Sequence, residues 1–360
     1  MTKIKSPTHP YIETIKPYEP PNLEAVATRS GLRVERLIRL DANENPFGPS
    51  PQVAQALAGY PDYGFYPDYQ PLQQAVACYA GVAPEQVVLS NGADELIDLT
   101  TRLFVEPGQA VVICPPTFSM YRFYAEVNRC RILSVPRRAD FSMDMATVER
   151  AVQESERDAR LLFLVSPGNP DGQAISLDVI RRLLELPLIV AVDEAYIEFG
   201  GNSAVHLLPR HENLIIIRTF SKWAGIAGLR LGYALLPPYL AGYIERIRSP
   251  YNVNAAAVVA ALTTLANLET VQANVDCLIA ERQRLHEALA AFPWLEPLPS
   301  QANFILCRVK GRTAPEVVDA LAQRGILIRR FSDPAMAGYV RISVGTPDQT
   351  DVLIAVLREL

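Results

Sequence analysis

The chain has 360 residues, 49% hydrophobic and 20% charged, with a formal net charge of −5 at pH 7, enough for a large core and more than one domain. There is no basic surplus to point to nucleic acid and no charge block to suggest a disordered tail. No apolar run, "AAAVVAAL" at 255–262 included, approaches the ~20 residues of a membrane span, and the N-terminal stretch lacks an apolar signal core.

In chain order, the proline-rich residues 1–47 read as an N-terminal arm contributing to a smaller domain. From about 48 to 260 short β-branched runs alternate with amphipathic segments. The strands are "QVVLS" at 86, "AVVIC" at 110, "LLFLV" at 161, "LIVAVD" at 188, "LIIIRT" at 214 and "YALL" at 233. They are apolar on both faces, as buried parallel strands are. Between them "DELIDLTTRLFV", "TFSMYRFYAEV", "DMATVERAVQES" and "SLDVIRRLLEL" read as helices. This alternation predicts an α/β domain with a mostly parallel sheet. One long helical stretch is expected over about 254–292, at the start of a smaller α+β domain that occupies 261–360. Its strands are "NFILCRV", "GILIRRF" and "YVRISV", with helices "APEVVDALAQR" and "DQTDVLIAVLREL".

In an open parallel sheet, ligands bind beyond the carboxyl ends of the strands. After "QVVLS" comes Asn91-Gly92-Ala93-Asp94-Glu95, a glycine turn opening a helix whose free N–H groups favour an anion. After "LLFLV" comes "SPGNPDG" with Asn169, and after "LIVAV" comes "DEAY" with Asp193 and Tyr196. After "LIIIR" come Thr219, Ser221, Lys222 and Arg230. Each has a plainer reading: Asp193 as a helix cap, Asn169 as a turn residue. "LIVAVDE" also resembles the magnesium-binding strand of a P-loop ATPase, but the chain has no Gly-Lys pair. Glycines 225, 228 and 232 do not make a dinucleotide fingerprint. The five cysteines are scattered and odd in number, as in a reducing cytoplasm. The four histidines offer no metal-binding spacing.

Lysine is scarce. The chain has 29 arginines but five lysines, and between Lys16 and Lys310 only Lys222 occurs. It lies in "TFSKWAGIAGLRLGY", between an apolar run and a glycine-spaced stretch. Arginine cannot serve where a neutral nucleophilic amine is needed, so Lys222 reads as a reactive amine.

Taken together, these residues resemble the fold-type-I, pyridoxal-phosphate-dependent aminotransferases. Within them the chain is similar to the histidinol-phosphate aminotransferase group. The likeness runs through "LDANENPFGPSP" at 40, "FYPDY" at 65, "LSNGADELI" at 89, "PPTFSMY" at 115, "VSPGNPDGQ" at 165, "VDEAYIEF" at 192, "RTFSKWAGIAGLRLGY" at 218, "QANFILCR" at 301 and "VRISVGT" at 340. It implies pyridoxal 5′-phosphate as cofactor, transamination of histidinol phosphate with 2-oxoglutarate, and a homodimer with shared active sites. Lys222 would form an imine with the cofactor and move the substrate's α-proton, with Asp193 on the ring nitrogen. Asn169 and Tyr196 would bond the ring oxygen, and Phe118 would stack on the ring. Ala93, Asp94, Thr219, Ser221 and Arg230 would hold the phosphate, joined by Tyr66 of a neighbouring subunit. Tyr18, Asn43, Arg329 and Arg341 would contact substrate. Side chains alternate along "GILIRRF", so one of Arg329 and Arg330 faces the ligand. The sequence departs from the family pattern at Phe118, where tyrosine is usual, at "PGNPDG" and at Trp223. An aromatic aminotransferase or a phospho-amino-acid decarboxylase on the same scaffold stays open.

Overall fold

Two sheets organise the chain in a computed structural model that describes residues 8–17 and 22–360. β1 (Ile38–Leu40) is followed by seven strands of one sheet. These are β2 (Val87–Ser90), β3 (Ala110–Ile113), β4 (Arg131–Ser134), β5 (Ala159–Val165), β6 (Ile189–Asp193), β7 (Leu214–Thr219) and β8 (Gly232–Leu235). β9 (Leu295–Pro297), β10 (Phe304–Val309), β11 (Ile326–Arg330) and β12 (Tyr339–Ser343) then join β1 in a second sheet.

The larger sheet has the order β2-β8-β7-β6-β5-β3-β4. β3 to β7 pair in parallel, and β8 runs antiparallel to both β2 and β7. β2 therefore points the same way as β3 to β7. The expectation of parallel strands holds for all but "YALL": β8 is as buried as its neighbours, so its composition carries no sign of direction. Successive residues divide between two cores, one on each face. Leu162, Leu164, Val190, Val192 and Ile216 enter one, and Leu161, Phe163, Val165, Ala191, Ile215 and Ile217 enter the other. That period of two under double coverage explains the unbroken apolar runs.

The helices preceding and crossing this sheet are α1 (Leu23–Ser30), α2 (Pro51–Gly59), α3 (Gln70–Ala80), α4 (Ala93–Phe104), α5 (Ser119–Val127), α6 (Met145–Glu154) and α7 (Leu177–Leu184). α8 (Pro238–Ile247), α9 (Ala255–Ala266), α10 (Leu268–Ala290), α11 (Ala314–Ala322) and α12 (Pro347–Glu359) follow. The single helix expected over 254–292 is two, α9 and α10, bent by 84°. Thr263 and Thr264 bond back to the carbonyls of Val259 and Ala260, and the Asn267 amide takes the Thr263 carbonyl. Asn267 itself leaves helical geometry, at φ −129° and ψ 44°. Such local bonds compete with the helix ladder and end it. Among the described residues, no single helix is long and apolar enough to cross a membrane.

The smaller sheet, β1-β11-β12-β10-β9, has its own apolar core of Leu40, Ile305, Ile328, Val340, Ile342 and Leu353. β1 pairs in parallel with β11, so the N-terminal segment is woven into this sheet. Gly225 locks the two parts together. Its φ is +71°, and a methyl there would sit 2.1 Å from the Gly48 carbonyl oxygen. Only glycine allows the loop after Lys222 to press so closely on the segment that follows β1.

A candidate active site between the two sheets

The carboxyl ends of β2, β3, β5, β6 and β7 open onto a cavity of about 640 Å³, within the range for cofactor and substrate sites. Ala93, Asp94, Phe118, Asn169, Asp193, Tyr196, Thr219, Ser221, Lys222 and Arg230 line it from the larger sheet. Asn43, Arg329 and Arg341 line it from the smaller. The residues singled out from separate motifs thus converge, with two exceptions. Tyr66 does not line the cavity; it is exposed and stacks on Tyr251 at 4.1 Å between ring centres. Tyr18 lies outside the described residues.

Lys222 follows the end of β7, and its Nζ donates to the carbonyl oxygen of Ala42 at 3.1 Å. Burial, reinforced by the Arg341 guanidinium, lowers its pKa to about 8. Removing a cation from water without a paired carboxylate favours the neutral amine.

Asp193 ends β6 with both carboxylate oxygens engaged. Oδ1 accepts from the Ala195 N–H at 3.0 Å and Oδ2 from the Tyr121 hydroxyl at 2.8 Å. Burial raises its pKa to about 6, opposed by the Tyr121 hydrogen bond. Tyr121 is not among the residues singled out from the sequence. The signal was within reach: it lies one helical turn after Phe118 in "PPTFSMY".

A chain of hydrogen bonds crosses from one sheet to the other. Arg341 donates through Nη1 to Asn169 Oδ1 at 2.8 Å and through Nη2 to the Asp41 carbonyl at 2.9 Å. Its guanidinium lies over the Phe304 ring, 5.0 Å from the centroid. The Tyr196 hydroxyl accepts from Asn43 Nδ2 at 3.1 Å and Asn169 Nδ2 at 3.5 Å. Asn43 is held in turn: its N–H donates to Ser343 Oγ at 2.9 Å and its Oδ1 accepts from the same hydroxyl at 3.0 Å. The side chain of Asn43, read from the sequence as a substrate contact, lines the cavity and also fixes Tyr196.

An anion cradle forms where α4 begins. Gly92, at φ +80°, caps the helix. A methyl on it would stand 2.7 Å from Arg230 Nη2, and one on Gly232 would stand 2.7 Å from the Ala93 nitrogen. These glycines let a guanidinium and a strand pack against the helix N-terminus, whose first N–H groups have no intrahelical acceptor. The Thr219 hydroxyl donates to Ser221 Oγ at 2.9 Å beside it. Arg230 reaches the Asp94 carboxylate at 3.0 Å.

Arg329 and Arg341 stand opposite each other across β11 and β12, so both side chains share one face. Arg329 lines the cavity, while Arg330 pairs with Val340 on the other face and is exposed. The three departures point inward to the protein or along the wall. Trp223 is buried and stacks on Tyr79 at 5.5 Å. Asp171 of "PGNPDG" is fully buried and pairs with Arg137 at 2.5 Å, while Arg137 also donates to the Pro116 carbonyl. That pair ties the Asn169 loop to the loop leading into Phe118.

The model of the family "Aminotransferase class I and II" matches residues 35–357. The histidinol-phosphate aminotransferase of Roseiflexus castenholzii is 47% identical over 98% of this chain and 97% of its own length. The chloroplastic histidinol-phosphate aminotransferase of Nicotiana plumbaginifolia is 42% identical, over 97% of this chain and 85% of its own. Among solved structures, the histidinol-phosphate aminotransferase of Sinorhizobium meliloti in complex with pyridoxal-5′-phosphate superposes with a TM-score of 0.88. It is 30% identical and covers both chains completely.

The lowered pKa of Lys222 makes a stability prediction for the cofactor-free protein. The folded pKa is about 8 and the ordinary value 10.5, so between them the unfolded chain binds more protons and stability rises with pH. Lys222→Met removes the buried cation. At pH 7 the variant should be more stable than the parent by about 1–3 kcal/mol, and the gap should narrow as pH rises toward 10.5. Denaturant titrations across this range measure it; a gap independent of pH would contradict the account.

Proposed function

Because the chain belongs to the class I and II aminotransferase family, we propose that it transfers the amino group of L-histidinol phosphate to 2-oxoglutarate, with pyridoxal 5′-phosphate as cofactor. The products are imidazole acetol phosphate and L-glutamate. The residues present fit the cofactor. A phosphate suits the α4 N-terminus with Thr219, Ser221 and Arg230, where glycines keep the approach open. An amine at Lys222 whose pKa is lowered toward neutrality by burial suits its aldehyde carbon. The buried carboxylate of Asp193 suits the ring nitrogen, and the Asn169–Tyr196 pair suits the ring oxygen.

When bound, the cofactor supplies an electron sink for the bonds at the substrate's α-carbon. The protein does the rest. Lys222 as a neutral amine takes the α-proton and returns it. Asp193 would keep the proton on the ring nitrogen, and Phe118 would pack against the ring. Asn169 and Tyr196 are preset by Arg341 and Asn43, so no reorganisation is needed as charge develops.

The substrate reading is carried by the cross-strand pair of Arg329 and Arg341 on the cavity wall. A phosphate dianion suits two guanidinium groups, whereas an amino acid brings a single carboxylate. A phospho-amino-acid decarboxylase would share that phosphate recognition; formation of glutamate from 2-oxoglutarate separates the two.

The chain works as a homodimer whose subunits share active sites. Tyr63, Phe65, Tyr66 and Tyr251 are exposed, and Tyr66 stacks on Tyr251 outside its own cavity, which suits a contact with a second subunit. All five cysteines are free, which suits a reducing cytoplasm; cell fractionation would check the location.

Two measurements follow. Arg329→Ala should raise KM for histidinol phosphate on the order of 10²-fold, as expected for a lost charged hydrogen bond, and change KM for unphosphorylated aromatic amino acids much less. Arg330→Ala should leave both near the parent values. Equal effects of Arg329→Ala on both substrates would favour a general aminotransferase. Separately, mixing Lys222→Ala with Tyr66→Ala protein should regain activity, because each mixed dimer holds one site with neither defect. A monomer in sedimentation, or no regain, would count against shared sites.

A further inference from the structure

Tyr121 is a fully buried phenol that packing alone does not require. Its ring stacks on Phe163, with centroids 4.8 Å apart and planes at 4°, and meets the edge of Phe118 at 5.6 Å. Phenylalanine would fill the same space. A buried hydroxyl costs free energy unless it is bonded, and this one makes its bond to Asp193 Oδ2 at 2.8 Å. With Oδ1 held by the Ala195 N–H, the carboxylate is pinned at both oxygens. We propose that Tyr121 is a positioning residue: its hydroxyl holds the Asp193 carboxylate ionised and in place, so that the proton stays on the cofactor's ring nitrogen.

The inference rests on Asp193 as the partner of that nitrogen. Asp193 is buried, with the Asp94 and Glu194 carboxylates adding to the cost of its charge. A donor on the ionised form works against both. Tyr121 cannot give up its own proton to do so, because burial and Asp193 hold the phenol well above its ordinary range. Without the hydroxyl, Oδ2 loses its only protein donor among the described residues, at a buried position. The carboxylate's proton affinity rises, and the proton shared with the ring nitrogen moves toward the carboxylate. No bond to carbon is made or broken; only the position of one proton changes.

The test uses holoenzyme carrying cofactor labelled with ¹⁵N at the ring nitrogen, read by NMR without substrate. This readout is independent of which amino donor the enzyme takes. The parent should show a protonated nitrogen. Asp193→Asn should shift the signal to the unprotonated position, and Tyr121→Phe should shift it part of the way. Tyr121→Phe should also lower kcat about tenfold, or about 1.4 kcal/mol, with KM little changed. In the Asp193→Asn background it should cost nothing more, because the two residues act through one carboxylate. An unmoved nitrogen signal in Tyr121→Phe, or losses that multiply in the double variant, would overturn the role of Tyr121 while leaving Asp193 in place. A signal indifferent to Asp193→Asn would overturn both.

Discussion

Arg341 holds the site together. It belongs to the smaller sheet, yet it donates to Asn169 at the carboxyl edge of the larger one and to the Asp41 carbonyl just after β1. One guanidinium thereby sets the distance between two sheets, the orientation of Asn169 and the path of the segment over Lys222. Its planar fork can do this where the single ammonium point of lysine could not. Its charge acts as well, disfavouring a second cation at Lys222. The arrangement makes the cavity a joint product of both sheets and gives it a rigid back wall.

Behind that wall, buried ion pairs keep the loops in place. Arg218 pairs with Glu194, the residue after Asp193, at 2.9 Å. Glu194 also accepts from the Ser203 hydroxyl and the Ala204 N–H. Arg137 and Asp171 do the same for the loops bearing Phe118 and Asn169. Breaking one partner of such a pair leaves an uncompensated buried charge, so each loop has one well-defined geometry. In front of the wall two cavity-lining groups are shifted toward neutrality by burial: Lys222 down to about 8, Asp193 up to about 6. Perturbed groups lining one cavity are a mark of chemistry rather than of structure alone.

Much of this was legible in the sequence, for physical reasons that differ by residue. The strands of the larger sheet are covered on both faces, so their apolar runs stand out, and the rule that ligands gather at carboxyl ends then brings Asn169, Asp193 and Lys222 together. Lys222 stood out because the chain otherwise avoids lysine. Alternation along β11 left Arg329 and Arg330 as alternatives; only the pairing with β12, a contact between distant segments, decides which shares a face with Arg341. β4 escaped notice because it is four residues long, partly exposed and at the sheet edge. The break at Asn267 escaped because two threonines and an asparagine end the helix through their side chains without any glycine or proline. The hydrogen bonds of Tyr121 and of the Asn43 side chain depend on partners 72 and 300 residues away in sequence, which no local pattern contains.

The central claim is that Lys222 supplies the amine that holds the cofactor. Reducing the holoenzyme with borohydride, digesting it with trypsin and mapping the modified peptide by mass spectrometry addresses it directly. A modified Lys222 resists cleavage, so the cofactor should be found on the intact peptide "TFSKWAGIAGLR", residues 219–230, with the visible absorbance bleached in parallel. Label on Lys310 or on the N-terminal lysines, or a protein that binds the cofactor with no reducible linkage at all, would contradict the account.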